Sequence, residues 1–327
     1  MAGIRKINKT IPYTMLISKE NLQKTQERIQ AFIHRTPVLS SQLINEMIGA
    51  DIYFKCENFQ KMGAFKMRGA TNAILHLSET EKDFGVATHS SGNFAQALAL
   101  AAKLQGMKAY IVMPSNAPQV KKNAVKGYGG EIIECTPTLE ARETTLTEVV
   151  NKTGAVFLHP YNDYHVIEGQ ATAAMELIED HDDLDVLFAP VGGGGLLSGT
   201  ALAAYYFSSN TKVVAGEPLG ADDAWQSFQK GEIVLQTNPQ TIADGLLTSL
   251  GDKTFPIIKE HVSDIIRVDE KEIIAAMRLI WERMKIIVEP SSAVALAALI
   301  KEKANYQGKK IGIILSGGNV ELSKLPF

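Results

Sequence analysis

The segment 63–70, which reads GAFKMRGA, places a single lysine among small and apolar residues. If the folded chain buries Lys66 there, desolvation lowers the pKa of its ammonium and frees the amine to form a Schiff base with an aldehyde. A lysine in open solvent would have no such reactivity, and the segment by itself leaves both interpretations open.

Four consecutive glycines, Gly192–Gly195, stand between a strand-like run and the helical run Thr200–Phe207. Glycines let the backbone approach an anion closely, and the start of a helix offers unpaired N–H groups. The loop therefore predicts a phosphate site, with a flexible turn as the alternative. It lacks the Gly-Lys-Ser/Thr ending of nucleoside-triphosphate loops and the spacing of the dinucleotide fingerprint.

Two polar motifs also follow strand-like runs. Ser90, Ser91 and Asn93 belong to the motif SSGN at a strand-to-helix junction, where they either hold a small carboxylate or simply cap the next helix. Ser316 begins the motif SGGN after the apolar run Ile311–Leu315. Ligand sites cluster at such strand ends, although a terminal turn would look the same.

The segment 217–223, which reads EPLGADD, combines carboxylates with backbone carbonyls. Such a segment can surround a hard cation such as Mg²⁺ or Ca²⁺, and an acidic surface turn is the plainer alternative. The histidines are scattered and show no His-Glu-x-x-His spacing.

Composition narrows the class of protein. The chain has 327 residues, of which 45% are hydrophobic and 21% charged, as in an ordinary globular protein. A formal charge of −3 makes nucleic acid and acidic membrane surfaces poor partners. The two cysteines, Cys56 and Cys135, exclude a disulfide scaffold, indicate a reducing compartment such as the cytoplasm, and are expected to pack as small apolar residues.

Neither the basic N-terminal segment nor the longest uncharged segment indicates export or a membrane anchor. The basic segment 1–18 has only short, interrupted apolar stretches, unlike a signal peptide. The uncharged run 186–211 is long enough to cross a membrane, but Pro190 and the four glycines favour a strand, a loop and a buried helix.

The motifs are positioned by a regular alternation of strand-like and helix-like segments, which favours an α/β fold with parallel sheet covered by helices. We expect 85–159, with four strands and three helices, to form a small domain, and 1–84 with 160–327 a larger one, with the site between them. The predicted strands are Asp51–Lys55, Val86–Thr88, Ala109–Met113, Glu131–Glu134, Val156–Leu158, Asp185–Ala189, Lys212–Ala215 and Lys310–Leu315, and the predicted helices include Phe94–Leu104, Gln119–Lys126 and Leu139–Asn151.

The order of the motifs resembles the fold-type II pyridoxal-phosphate enzymes, in particular the serine racemases and serine/threonine dehydratases. The lysine after Gly-Ala-Phe comes first, followed by SSGN, the tetraglycine loop and SGGN. The resemblance covers about 38–322 and includes the stretches FKCENFQK, TIADG and WERMK. It implies two lobes, each a mostly parallel twisted sheet flanked by helices, with a large pyridoxal-phosphate-binding lobe, a small substrate-gating lobe and a homodimeric assembly.

The resemblance also gives each motif residue a role. Lys66 becomes the Schiff-base lysine, which also moves the Cα proton. The other cofactor contacts are the phosphate cradle at Gly192, Gly193, Gly194, Gly195 and Leu196, the ring contact of Phe65, the bond from Asn93 to the phenolic oxygen, and Ser316 at the pyridine nitrogen. The substrate contacts are Ser90, Ser91 and Asn93 for the carboxylate and Arg142 for orientation, and a divalent cation (Mg²⁺, or Mn²⁺ or Ca²⁺) is assigned to Glu217, the Ala221 carbonyl and Asp223.

The implied chemistry starts with the cofactor, which weakens the Cα–H bond of a bound amino acid by accepting charge. A serine at the pyridine nitrogen makes a weaker electron sink, which favours prompt reprotonation or loss of a β-hydroxyl. Racemisation needs a second acid/base on the opposite face, and the resemblance places Ser91 there. We therefore expect a serine racemase with serine/threonine dehydratase (ammonia-lyase) activity; the alternatives are a dedicated threonine or threo-3-hydroxyaspartate dehydratase, or an aspartate racemase.

Three departures from the family pattern bear on the substrate. Phe94 follows Asn93 where histidine is typical, Tyr161 replaces the asparagine of the animal serine racemase, and Glu168 adds a carboxylate whose role the sequence does not give. A non-catalytic protein that binds a phosphate ligand is a further alternative, which Lys66 and Ser91 together disfavour. A nicotinamide-dinucleotide enzyme is disfavoured because its glycine motif and acidic residue are missing.

Overall fold

The computed structural model describes residues 17–327, which form a six-stranded sheet of order β1-β2-β10-β7-β8-β9 and a four-stranded sheet of order β5-β4-β3-β6. Nearly all of the basic segment 1–18, and the start of the larger predicted domain, lie outside the described residues. The strands are β1 (Val38–Leu39), β2 (Asp51–Cys56), β3 (Val86–His89), β4 (Ala109–Pro114), β5 (Glu131–Cys135), β6 (Val156–Phe157), β7 (Val186–Pro190), β8 (Lys212–Pro218), β9 (Asp264–Val268) and β10 (Lys310–Leu315).

All strand pairs are parallel except β1 with β2. Helices occupy the connections between the parallel strands. Their bounds are α1 (Lys19–Ile29), α2 (Gln42–Ile48), α3 (Lys66–Leu75), α4 (Glu79–Phe84), α5 (Asn93–Leu104), α6 (Gln119–Gly127), α7 (Leu139–Thr153), α8 (Tyr164–Asp180), α9 (Gly195–Phe207), α10 (Asp223–Lys230), α11 (Thr254–His261), α12 (Glu270–Met284) and α13 (Pro290–Lys301).

The larger sheet is buried on both faces. All five residues of β7 are buried, as expected for a central parallel strand. Successive side chains point to opposite faces: Leu187 packs with α8 and α9, whereas Phe188 packs with α12 and α13. The α/β fold with two mostly parallel sheets and flanking helices, predicted from the sequence, is confirmed.

Between 86 and 157 the chain forms the four strands and three helices that the sequence predicts, and these strands make the smaller sheet. The exact division into domains stays a prediction. The uncharged run 186–211 becomes β7, the glycine turn, α9 and the loop that leads to β8. Among residues 17–327, no helix has both the length and the apolar character needed to cross a membrane. Both cysteines are free and buried, as expected.

Helix α3 is held tightly against α8. Their backbones approach so closely that a Cβ added to Gly169 would lie 2.6 Å from the Gly69 Cα and the Arg68 carbonyl oxygen. Two glycines at the crossing are therefore required by the packing.

A buried charge network anchors the same helix. Arg68 donates from Nε to Glu57 at 2.8 Å and from Nη1 to Glu176 at 2.7 Å, and the Lys55 ammonium lies 2.6 Å from Glu176. The four side chains are at most 5% exposed, and the two positive charges balance the two negative ones. Because an unpaired charge is costly in such a place, the network fixes the position of α3.

Candidate active site

Lys66 is the first residue of α3, at the carboxyl end of β10. The chain reaches this position through two backbone contacts: Ala64 bridges Gly317, and the Phe65 N–H donates to the Ser316 carbonyl at 3.0 Å. The structure thus brings together Phe65, Lys66 and Ser316, three of the residues singled out in the sequence.

The Lys66 side chain lies in an apolar and aromatic environment. Its Nζ is 5.0 Å from the centre of the Phe65 ring and 5.8 Å from that of Phe94, and it donates to the Pro160 carbonyl at 2.8 Å. Burial lowers the pKa of this ammonium to about 8, although the Glu289 carboxylate acts in the opposite direction. Lys66 is therefore partly buried, and its lowered pKa brings the amine within reach of its reactive form at physiological pH.

The tetraglycine loop joins β7 to α9, and the helix begins at Gly195. Its N-cap is Gly194, which adopts φ +89° and has no side chain with which to cap the helix. The first N–H groups of α9 are thus left to an external anion. On the other side of the loop, Thr254 Oγ1 donates to the Gly193 carbonyl at 2.9 Å and holds the turn in place.

The aromatic ring of Tyr161 covers the glycine loop. A Cβ added to Gly193 would lie 2.4–2.5 Å from three ring carbons of Tyr161, and one added to Gly195 would lie 3.0 Å from the Tyr161 Cβ. Burial raises the pKa of the Tyr161 phenol, and the nearby Asp223 carboxylate also raises it. The sequence identified Tyr161 only as a departure from the family pattern, not as a wall of the cradle.

His159 organises the turn that carries Tyr161. Its Nδ1 accepts the backbone N–H groups of Tyr161 at 3.3 Å and Asn162 at 2.9 Å. Burial lowers the pKa of His159 to about 4, and the neighbouring His89 and Lys66 lower it further. The imidazole therefore stays neutral and keeps Nδ1 as an acceptor, which fixes the Pro160 carbonyl beside the lysine.

The SSGN motif lies at the junction of β3 and α5. The helix begins at Asn93, and its N-cap is Gly92, which has no capping side chain. The helix-capping alternative for these residues therefore does not hold. Ser90 Oγ accepts the Gly92 N–H at 3.4 Å, and Ser91 is partly exposed. The uncapped first turn of α5 offers N–H groups suited to a carboxylate.

Asn93 is held by two partners from distant parts of the chain. Its Nδ2 donates to the Glu289 carboxylate at 2.9 and 3.1 Å, and its Oδ1 accepts a hydrogen bond from Asn319 at 2.9 Å. Glu289 is 3% exposed, and burial raises its pKa to about 7, with the negative Asp244 adding to the effect. Sequence analysis missed Glu289; its only local signal is its place before Pro290 at a helix start.

The candidate cation ligands are all buried. Glu217, Ala221 and Asp223 are at most 2% exposed. The Glu217 oxygens accept the N–H groups of Ala224 and Trp225 at 2.8 Å, whereas Asp223 Oδ2 is buried with no hydrogen-bond partner. Burial raises the pKa of both carboxyls, that of Asp223 to about 7. A neighbouring carboxylate raises each pKa further: Asp223 acts on Glu217, and Asp222 acts on Asp223.

Arg142 lies near His89, the residue that precedes the SSGN motif. It belongs to α7, on the smaller sheet, and its buried Nε has no hydrogen-bond partner. Burial lowers the pKa of His89, and the Arg142 charge lowers it further, so these side chains are neighbours. Within the described part of the chain, no hydrogen bond joins Arg142 to Lys66.

The fold and this arrangement define a class of enzyme. Residues 29–317 match the family model described as "Pyridoxal-phosphate dependent enzyme", and the chain belongs to that family. The residues present fit the cofactor: Lys66 offers an amine of lowered pKa for its aldehyde, and the uncapped glycine loop offers N–H groups for its phosphate.

Similar proteins define the branch within the family. The serine racemase of Dictyostelium discoideum is 51% identical over 313 residues, which cover 94% of this chain and 97% of that protein. The beta-hydroxyaspartate dehydratase of Paracoccus denitrificans is 50% identical, and the match covers 94% of this chain and 98% of that protein. The structure of maize serine racemase superposes with a TM-score of 0.92 at 47% identity, covering 94% of both chains. The chain is accordingly a pyridoxal-phosphate-dependent enzyme of the racemase and ammonia-lyase branch.

Proposed function

We propose that this enzyme racemises serine and also converts serine and threonine to 2-oxo acids and ammonia. The observation that carries the proposal is the environment of Lys66. Its amine, with a pKa of about 8, packs against Phe94, which follows the SSGN motif directly. This contact supports an arrangement in which the lysine and Ser91 occupy adjoining parts of one site, as an enzyme with an acid/base on each face of the substrate requires.

Bound pyridoxal phosphate would accept the electrons left on Cα when the substrate loses its proton. We propose that the chain holds the cofactor as the motifs predict. The phosphate would rest on the N–H groups of Gly192–Gly195 and Leu196, the ring on Phe65, the phenolic oxygen at Asn93 and the pyridine nitrogen at Ser316. Glu289 and Asn319 would keep the Asn93 amide in one orientation.

The protein residues direct the proton. Lys66 would remove it from one face, aided by the low pKa that burial gives the amine. Ser91 would return a proton to the opposite face. Ser90, Ser91 and the first N–H groups of α5 would hold the substrate carboxylate, and Arg142 would orient the substrate from α7. When the substrate carries a β-hydroxyl, its loss competes with reprotonation, so both products arise from one site.

We also propose a divalent cation, Mg²⁺ by preference and Mn²⁺ or Ca²⁺ otherwise, at Glu217, the Ala221 carbonyl and Asp223. The unpartnered buried Asp223 Oδ2 supports this site, because a cation would supply the missing partner and offset the repulsion between two buried carboxylates. A homodimer and a cytoplasmic location stay predictions from the sequence.

A second candidate is a dedicated threo-3-hydroxyaspartate dehydratase. It is favoured by the 50% identity to the beta-hydroxyaspartate dehydratase, which is close to the 51% identity to the serine racemase of Dictyostelium discoideum. Tyr161 is consistent with it, because dehydratases that the chain resembles more often have tyrosine where the animal serine racemase has asparagine.

Product analysis distinguishes the candidates. The purified holoenzyme is incubated with L-serine, L-threonine, L-aspartate and threo-3-hydroxyaspartate, and both enantiomers and 2-oxo acids are quantified. D-serine from L-serine supports the first proposal. Absence of D-serine together with rapid turnover of hydroxyaspartate assigns the second function, and D-aspartate formation would indicate an aspartate racemase.

Variants at two adjacent serines test the two-face mechanism. Ser91→Ala is expected to lower racemisation at least about 100-fold, the usual scale of a general acid/base, while elimination changes only severalfold. Ser90→Ala is the matched control and should weaken both reactions alike, through the carboxylate contact. Equal losses of both reactions in Ser91→Ala would contradict the role of Ser91.

A further inference from the structure

A second cluster of metal-binding side chains lies at the far end of α3 from Lys66. His76 is the C-cap residue of α3, while His165 and Glu168 lie in the first turns of α8. One ligand atom from each residue falls within 4.8 Å of the other two. His165 and Glu168 are three positions apart on one helix, so their side chains share a face, and His76 faces them from the neighbouring helix.

The hydrogen bonding of His76 prepares it to bind a metal. Its Nδ1 lies 2.8 Å from the carbonyl oxygen of Asn72, to which it must donate, so Nε2 keeps a free lone pair. Metal-ligating histidines in proteins are typically oriented in this way by a backbone carbonyl. Burial lowers the pKa of His76, and the neighbouring His165 and Arg28 lower it further.

Glu168 is a buried carboxylate with weak partners. Its side chain is 5% exposed, yet its nearest hydrogen-bond contacts, Asn72 Nδ2 and His165 Nδ1, are both 3.4 Å away. Among residues 17–327, its only ion-pair contact is with His165, which carries charge only when protonated. This is the carboxylate for which the sequence gave no role, and a bound dication would neutralise it.

We propose that His76, His165 and Glu168 form a site for a transition-metal dication of the zinc class, with water as the fourth ligand. Two imidazole nitrogens and one carboxylate oxygen are the donor set of many such sites. The set differs from the oxygen-only group around Glu217 and Asp223, which suits a hard cation. The metal would join α3 to α8 and act on stability, since it lies at the end of α3 opposite the reactive lysine.

Two features set the strength of this site. The imidazoles stack with centroids 3.7 Å apart and planes at 18°, so the exposed His165 ring must turn to bring its nitrogen to the spacing of about 3.4 Å that tetrahedral ligation requires. Arg28 donates to Asn72 Oδ1 at 2.8 Å and brings a positive charge near the site. Both reduce affinity, and moderate rather than very tight binding is expected.

The test uses Co²⁺ as a spectroscopic probe on the full-length holoenzyme, with excess Mg²⁺ to occupy oxygen-only sites. Co²⁺ bound by two imidazoles in a tetrahedral set absorbs visible light strongly, whereas octahedral hexa-aquo Co²⁺ absorbs only weakly. We expect one equivalent in the wild type and at least tenfold weaker binding in Glu168→Gln and in His165→Asn. His181→Asn, at the other end of α8, is the matched control and should bind as the wild type does.

Thermal unfolding supplies an independent measure. At Co²⁺ concentrations 100 times the dissociation constant, the ratio of folded to unfolded wild-type protein should rise about 100-fold, and this gain should vanish in His165→Asn. Because His165 is exposed, this variant is expected to fold even if Glu168→Gln does not. Equal Co²⁺ titrations of the wild type and His165→Asn, or equal thermal gains, would overturn the proposal.

Discussion

The contact between Tyr161 and the glycine loop allows a quantitative prediction. In Gly193→Ala, the added methyl would lie 2.4 Å from a ring carbon of Tyr161, whereas ordinary contacts begin at 3.4 Å, so the ring or the loop must move by about 1 Å. Gly193 is not among the glycines with positive φ, so the strain is purely a matter of packing.

Overpacking of this kind costs about 1–3 kcal/mol. Because both the loop and the ring line the cradle, we expect the loss to appear in the affinity for pyridoxal phosphate, which should fall about 5- to 150-fold. The measurement is a titration of the cofactor-free protein with pyridoxal phosphate, followed by its absorption. Gly127→Ala is the matched control, because a Cβ there meets nothing within 4 Å.

A double variant identifies the cause. In Gly193→Ala/Tyr161→Ala the ring that the methyl would strike is gone, so the two substitutions should not add, and the coupling between them should reach about 1 kcal/mol or more. If the loss of binding free energy in the double variant equals the sum of the losses in the two single variants, the overlap with Tyr161 does not explain the weaker cofactor binding of Gly193→Ala. A Gly193→Ala protein that binds the cofactor as the wild type does would refute the assignment of the cradle itself.

Three further outcomes follow from buried charges. Capture of pyridoxal phosphate by the cofactor-free protein should accelerate up to pH about 8 and then level off, because Lys66 must lose its proton. Since the pKa of Lys66 in the folded protein lies below the ordinary 10.5, the stability of the cofactor-free protein should also rise with pH between about 8 and 10.5. Flat pH profiles in stopped-flow binding and in urea unfolding would contradict these two expectations. Glu176→Gln should lose about 3–5 kcal/mol in urea unfolding because Lys55 is left buried without its partner, and a loss below 1 kcal/mol would count against the network. Asp223→Asn should abolish the rise in melting temperature that Mg²⁺ gives the wild type; an undiminished rise would place the cation elsewhere.

The regular part of the fold was predictable because its signals are local. The strands of the smaller sheet and their helices match the predicted segments to within a few residues, since apolar runs and alanine-rich stretches alternate there. Strand β1 was missed because it has two residues, and β9 because Asp264 and Arg267 interrupt its apolar pattern. Helix α9 starts at Gly195, five residues before the predicted run, because burial of this turn outweighs the low helix propensity of glycine.

The site residues also divide into those with a local sequence signal, which were predictable, and those without one. Lys66, the glycine loop and the SSGN motif were recognisable because each is a short contiguous pattern. Glu289 was not, because its partner Asn93 is 196 positions away in the sequence. The His76–His165 pair has no sequence spacing that points to a metal, since the crossing of α3 and α8 alone brings the rings together.

The balanced group formed by Lys55, Glu57, Arg68 and Glu176 has an evolutionary consequence. Replacing any one of these four residues leaves an unpaired charge in the interior. These positions can therefore change in evolution only through paired replacements. Phe94 and Tyr161 carry no charge and face no such penalty. Related proteins can therefore acquire new substrate preferences by changes at positions such as 94 and 161, while the orientation of α3, which carries Lys66, is retained.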